Sequence, residues 1–167
     1  HEHYLVALGK DDAPVDAFER PEVAAQLASL AGVPADGARV RSLGVEQSNT
    51  SVVFGDRLIL KAYRRLEAGL NPELEMLRFL TERGFPNIAP LAGWYAYVGK
   101  PLNTTLGILQ AFVPNAPDGW ELALGALRND PDSFLARLRR LGEVTGAMHT
   151  ALAGDARLRQ AQGLRIR

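Results

Sequence analysis

The chain has 167 residues, 47% of them hydrophobic and 23% charged, so it is long enough for one globular domain or two small lobes. Its 19 basic and 19 acidic side chains cancel, which argues against nucleic acid or an acidic membrane as a partner. The absence of cysteine excludes disulfides and thiolate sites, no apolar run approaches the roughly 20 residues that span a bilayer, and a cytoplasmic protein fits best.

Apolar periodicity and turn signals predict strands first and helices later in the chain. The predicted strands cover 4–8, 38–43, 52–54, 58–63, 91–98 and 106–113, with a hairpin around Gly55-Asp56. The predicted helices cover 21–31, 72–83, a segment capped by Asp118, and 133–152. This order indicates an α+β domain with a mostly antiparallel sheet and a packed helix, followed by the first helices of a second part.

The last predicted helix carries an apolar stripe at 4-3-4-3-4 spacing. The stripe consists of Phe134, Leu138, Leu141, Thr145, Met148 and Leu152. His149 lies near the end of the same helix, where a cation suits the helix dipole better than it suits catalysis.

Lys61 stands in an apolar strand, an unusual place for a charged side chain. Strand alternation puts Lys61 between Ile59 and Tyr63 on one of two largely apolar faces, so the strand should lie inside the sheet. A buried ammonium needs an anionic partner unless it reaches the edge of the sheet. The helix after this strand offers Glu73 and Glu75, and we expect Glu75 to pair with Lys61 while Glu73 complements the helix dipole.

A hydroxyl-rich turn, Ser48 to Ser51, precedes the strand that pairs with the lysine strand. Backbone N–H groups and small hydroxyls at such a turn can hold phosphate oxygens, although a hydrogen-bonded hairpin loop has the same composition. The turn, the strand lysine and the helix glutamate together are typical of a phosphoryl-transfer site.

Three segments make the chain similar to bacterial maltokinases. They are GVEQSNTSVVFGDRLILKAYRRLEAGLNPELEMLRFL (44–80), LQAFVPNAPDGW (109–120) and RLRRLGEVTGAMHTAL (137–152). The resemblance covers 43–152 and implies a protein-kinase-like fold related to aminoglycoside phosphotransferases. It further implies transfer of the ATP γ-phosphate to the anomeric hydroxyl of maltose, in an enzyme that also occurs fused behind trehalose synthase.

The resemblance assigns nucleotide contacts to three groups of residues in this chain. It implies a phosphate loop, a lysine for the α- and β-phosphates with its glutamate, and a hinge whose backbone bonds adenine. These residues are, in that order, Gln47, Ser48, Asn49, Thr50 and Ser51; Lys61 and Glu75; and Gln110, Ala111, Phe112 and Val113. Ala111 replaces an acidic residue that is usual in the family, and Asp118 is best explained as a helix cap.

The resemblance also implies catalytic parts that this sequence lacks. Relatives carry a His-Gly-Asp-x-His loop and an Asp-Phe-Glu segment for the base and Mg²⁺, and neither string occurs in the 167 residues. We therefore expect an N-lobe with the phosphate loop at 1–113, then the hinge exit and first C-lobe helices at 114–167. Such a piece would be inactive alone, with its Mg²⁺ ligands and its maltose contacts in an absent C-lobe.

Three alternatives remain open on the sequence. The chain could come from a phosphotransferase of the aminoglycoside or choline kinase type with another acceptor. It could be a non-catalytic module that binds a partner or a nucleotide; exposed apolar residues along 133–152 would favour this module or would simply mark a missing lobe. It could also be a plain α+β domain in which Lys61 and its glutamate are structural only.

Overall fold

The computed structural model describes residues 2–6, 18, 20–33, 38–46 and 49–154, with the backbone alone at 44–46. In chain order the elements are β1 (His3–Tyr4), α1 (Pro21–Leu30), β2 (Val40–Glu46), β3 (Asn49–Phe54), β4 (Leu58–Tyr63), β5 (Arg65–Leu66), α2 (Pro72–Glu82), β6 (Leu91–Tyr97), β7 (Thr104–Ala111), α3 (Gly119–Asn129) and α4 (Pro131–Ala153). Of the predicted strand 4–8, only Tyr4 belongs to a strand, β1; the prediction is wrong at Leu5 and Val6, which are not in a strand, and residues 7 and 8 lie outside the described residues.

The strands form a five-stranded sheet with the order β2-β3-β4-β7-β6, and every neighbouring pair is antiparallel. Short β1 and β5 pair separately. The predicted hairpin is confirmed: Arg57 N–H donates to the Phe54 carbonyl at 3.0 Å across a turn whose central residues, Gly55 and Asp56, both have positive φ. The predicted α+β class with a mostly antiparallel sheet is therefore confirmed, and β4 is its central strand.

Helices α2 and α3 each begin at a side-chain cap. Asn71 Oδ1 accepts from the Glu73 N–H at 2.8 Å, and Pro72 occupies the first helical position of α2. Asp118 Oδ1 accepts from the N–H groups of Trp120 and Glu121 at the start of α3. The prediction that Asp118 caps a helix is confirmed, and the caps fix which residues enter the first turn of each helix.

Each face of the sheet is covered by one helix. On the first face, α1 packs Ala24 and Ala28 against a cluster that includes Leu60 and Leu109. On the second face, α2 places Leu74 against Tyr63 and Ile108. Both sheet residues of the second cluster share a face with Lys61, because Lys61 is directly opposite Ile108 in the β4–β7 register.

Helix α4 buries only the end of its predicted stripe. Leu152 and Met148 pack with Phe79 and Leu80 of α2. Leu138 and Leu141, in the middle of the stripe, are exposed among the residues that the structure describes. His149 lies on an exposed part of the same helix.

Candidate functional site

Lys61 lies on the central strand, on the face that α2 covers. Ser51 on β3 and Ile108 on β7 are its direct neighbours across the sheet. The Lys61 side chain is 27% exposed, so its ammonium group is partly shielded from water but remains accessible from one side. The prediction that the lysine strand lies inside the sheet is confirmed.

The carboxylate that meets this ammonium group belongs to Glu73. Lys61 Nζ lies 2.9 Å from Glu73 Oε2 and 3.2 Å from Oε1, so it donates to both oxygens. The Glu73 side chain is 36% exposed, and the pair therefore sits at the boundary between the sheet and solvent. A charge-assisted contact of this geometry holds the lysine in one orientation.

The prediction that Glu75 is the partner of Lys61 is wrong. Asn71 caps α2 so that Glu73 is the second helical residue, and side chains of a helix lean toward its N-terminus, here toward β4. Glu75 follows by two residues, about 200° around the helix, and therefore points away from the lysine. Among the described residues, its side chain has neither an ion pair nor a hydrogen bond.

Tyr63 also belongs to this site, and the sequence reasoning missed its role. Its hydroxyl donates to Glu73 Oε2 at 3.0 Å, the oxygen that also accepts from Lys61. Burial, and then the charge and hydrogen bond of Glu73, raise the pKa of the Tyr63 hydroxyl well above its usual value. The signal was present in the sequence, since Tyr63 follows Lys61 by two residues and so shares its strand face.

The N-terminus of α2 is tied to the sheet next to this pair. The Asn71 backbone N–H donates to Thr105 Oγ1 on β7 at 3.1 Å, while the Asn71 side chain caps the helix at Glu73. Thr105 is buried, so this bond connects the helix start to the interior of the sheet. The Glu73 backbone is therefore fixed relative to β4 and β7.

The residues of the predicted phosphate loop separate into two groups. Gln47 and Ser48 lie outside the described residues, while Asn49, Thr50 and Ser51 open strand β3. Ser51 is opposite Lys61, and Asn49 is opposite Tyr63, on the lysine face.

Thr50 faces the other side of the sheet. Its side chain is fully buried, and its hydroxyl accepts from Arg64 Nε at 2.8 Å. The structure thus brings Asn49 and Ser51 to the face that carries Lys61, and it does not bring the Thr50 side chain there.

The predicted hinge, 110–113, begins at the end of β7. Ala111 N–H donates to the Pro90 carbonyl at 3.0 Å and Phe112 N–H to the Arg57 carbonyl at 2.8 Å. Val113 is 58% exposed, and its N–H has no acceptor among the described residues. Gln110 uses its side chain to donate to the Ala89 carbonyl, which fastens the strand end to the preceding loop.

Lys61 and the hinge lie along the same pair of strands. Leu58 is opposite Ala111 and Lys61 is opposite Ile108, so three residues, or about 10 Å of strand, separate the hinge row from the lysine row.

Within the described residues no group of three or more His, Asp or Glu side chains could hold a metal ion. The same residues contain no helix with the length and apolar character needed to cross a membrane.

Curated glucosamine kinases resemble the chain in sequence. The glucosamine kinase of Streptacidiphilus jiangxiensis is 29% identical over 167 residues, which cover 93% of this chain and 36% of that protein. The glucosamine kinase of Mycolicibacterium smegmatis is 27% identical over 124 residues, covering 70% of this chain and 31% of that protein. The chain thus spans about a third of the length of these relatives, and no protein-family profile matches it.

Solved structures of glucosamine kinases share its fold. One, in complex with glucosamine, ADP and inorganic phosphate, aligns with a TM-score of 0.65 at 20% identity, over 91% of this chain and 41% of that chain. Another crystal form gives a TM-score of 0.60 at 26% identity, over 91% and 40%. The fold is therefore a kinase fold.

Within that class, the homologues of the chain are sugar kinases, specifically glucosamine kinases. They support the sugar-kinase part of the resemblance noted from the sequence, and they do not support maltokinase in particular.

Proposed function

We propose that this chain is the nucleotide-binding part of an ATP-dependent sugar kinase. The observation that carries the proposal is the half-buried ion pair between Lys61 and Glu73. Lys61 lies on the central strand, directly opposite Ser51, and Glu73 reaches it from α2. A kinase fold needs a strand lysine held by a helix glutamate, so that one cation is presented to the phosphates of ATP. This chain supplies both groups in contact.

The chain's own residues account for binding and orientation of the nucleotide. Lys61 presents its ammonium group to the α- and β-phosphates, and Glu73 keeps that group oriented. Asn49 and Ser51 add an amide and a hydroxyl on the same face. Adenine then lies at the hinge, about 10 Å along the strands from the lysine row.

At the hinge, the backbone of Val113 is the donor that remains for adenine. The N–H groups of Ala111 and Phe112 already donate to carbonyls within the described part of the chain, whereas that of Val113 does not. Ala111 contributes no side-chain hydrogen bond, so we infer that recognition of the base depends on main-chain groups here.

The chemical step needs groups that these residues do not supply. Mg²⁺ bridges phosphates in kinases, but the described residues hold no suitable ligand cluster, and the sequence contains no His-Gly-Asp-x-His or Asp-Phe-Glu string. The division into 1–113 and 114–167, with catalytic groups beyond it, stays a prediction. In this proposal the chain binds and orients the nucleotide, and the base is supplied by a part of the enzyme outside this sequence.

For the acceptor we propose glucosamine rather than maltose. The relatives that match over 93% and 70% of the chain are glucosamine kinases, and one solved structure with the same fold holds glucosamine. Maltose, and an association with trehalose synthase, rest on the sequence resemblance alone. Phosphate transfer from ATP to each sugar, measured with the full-length product of the natural reading frame, decides between them. ATP binding without transfer to either sugar would favour the non-catalytic module.

The test of nucleotide binding is Lys61→Met in the same full-length protein. We expect ATP binding, measured by calorimetry, to weaken at least about 100-fold, since charge-assisted bonds to phosphate are lost. Lys100→Met is the matched control, because Lys100 is an exposed lysine on the same lobe and should leave the affinity unchanged. Equal ATP affinity of Lys61→Met and wild type would refute the assignment of the site.

A further inference from the structure

Tyr63 shares the carboxylate of Glu73 with Lys61. Its ring is 6% exposed and packs with Leu74 and Ile108, while its hydroxyl donates to Glu73 Oε2 at 3.0 Å. A phenylalanine would fill the same space, so packing alone does not require the hydroxyl group. Tyr63 differs from a phenylalanine here only in its hydroxyl group, which donates its hydrogen bond to Glu73.

The three contacts on Glu73 fix both of its oxygens. Oε1 accepts from Lys61, and Oε2 accepts from Lys61 and Tyr63. Without Tyr63, the carboxylate would be held by one flexible partner alone, since Lys61 sits on a stem with four rotatable bonds. With Tyr63, one anchor of the carboxylate is a buried ring that has little freedom to move.

The hydroxyl is suited to be a permanent donor. Its pKa is raised by burial and by the neighbouring carboxylate, so it stays protonated throughout the neutral range. Carboxylates accept only, and a protonated phenol beside Glu73 therefore complements the ionised form of the glutamate.

We propose that Tyr63 is a positioning residue for the nucleotide, which acts by holding the Glu73 carboxylate where it orients Lys61. This inference rests on the proposed function, because it presumes that Lys61 contacts phosphate. Tyr63 itself does not touch the nucleotide in this account. Its effect on ATP affinity passes entirely through Glu73.

The test is a double-mutant cycle in the full-length protein with Tyr63→Phe and Glu73→Gln. Tyr63→Phe keeps the ring and should weaken ATP binding about 3- to 10-fold, which is less than the full effect of a hydrogen bond to a charged group because the change acts on ATP only through Glu73. In the Glu73→Gln background, Tyr63→Phe should alter ATP affinity less than about 2-fold, because the carboxylate that the Tyr63 hydroxyl holds is absent. Tyr97→Phe is the control, because its exposed hydroxyl donates only to the Lys100 carbonyl.

The outcomes separate this inference from the proposed function. Lys61→Met without effect refutes the nucleotide site itself, whereas a weakened Lys61→Met with a normal Tyr63→Phe refutes the role of Tyr63 alone. An equal loss from Tyr63→Phe in both backgrounds would also overturn the inference, since the tyrosine would then act through packing. So would a Tyr63→Phe protein that fails to fold, as judged by its thermal midpoint, because the hydroxyl would then serve the fold.

Discussion

Exchanging Glu73 for glutamine tests the ion pair at the centre of the site. At 2.9 Å and an effective dielectric constant of about 20, the attraction between the charges is about 6 kcal/mol before solvent screening. Both side chains are partly exposed, at 27% and 36%, which lowers the net value to between about 1 kcal/mol for a surface pair and about 3 kcal/mol for a buried one. That is enough to hold one lysine rotamer.

The expected loss of activity in Glu73→Gln follows from the conformational freedom that the Lys61 side chain regains. An unrestrained lysine has about 2 kcal/mol of rotamer entropy, which ATP binding would then have to overcome. We therefore expect Glu73→Gln to lower kcat/KM for ATP about 10- to 30-fold in the full-length enzyme, measured by steady-state phosphate transfer.

Glu75→Gln is the matched control on the same helix, and we expect a change below about 2-fold. The two variants remove the same charge, one helical turn apart at most, so a general electrostatic effect would appear in both. Equal losses in the two variants, or a larger loss in Glu75→Gln, would refute the geometry.

Two further predictions concern stability. The Tyr95 hydroxyl is buried with no hydrogen-bond partner among the described residues, so Tyr95→Phe should raise the free energy of unfolding by about 1 kcal/mol in urea titrations; a decrease would mean that the hydroxyl has a partner. Gly93→Ala would bring a methyl group to 2.3 Å from the Ala31 carbonyl oxygen and should lower the thermal midpoint, at a cost of about 3 kcal/mol. Gly125→Ala, inside α3 with open space around it, should stabilise by about 0.5 to 1 kcal/mol, and equal behaviour of both glycines would contradict the packing.

The sequence predicts most of the sheet and helix starts because those depend on local chemistry. Alternation places Lys61 on a strand with two apolar faces, and such a strand belongs inside a sheet, as β4 is. Turn residues at Gly55-Asp56 and the caps at Asn71 and Asp118 act within a few residues of themselves. These features could be derived without knowledge of the partner elements.

The partner of Lys61 could not be derived in this way. Glu73 and Glu75 both flank the apolar stripe of α2, and the choice depends on how the helix is rotated against the sheet. That rotation follows from Leu74, which packs against Tyr63 and Ile108, and from the Asn71–Thr105 bond to β7. Both are contacts between residues far apart in sequence.

The positions of the Thr50 side chain and of the middle of α4 also depend on contacts between residues far apart in sequence. Composition groups Thr50 with Ser51 as phosphate contacts, but strand pairing sends the Thr50 hydroxyl to Arg64 on the opposite face. Periodicity places Leu138 and Leu141 on an apolar stripe, but a stripe does not show whether another element covers it, and both residues are exposed in the described part of the chain.

The contacts that attach α2 to the sheet decide whether this helix can move away and separate Glu73 from Lys61. In protein kinases, the position of the glutamate-bearing helix governs activity. Here Glu73 lies in the first helical turn, Asn71 beside it bonds Thr105, and Leu74 is 1% exposed. Moving α2 away would break the ion pair and two hydrogen bonds and uncover a leucine, which together cost about 5 kcal/mol. A displaced helix would then be populated at less than about one part in a thousand, so the Lys61–Glu73 pair is assembled without any ligand. If this site binds a nucleotide, as proposed, its affinity depends on the side chains themselves rather than on movement of α2.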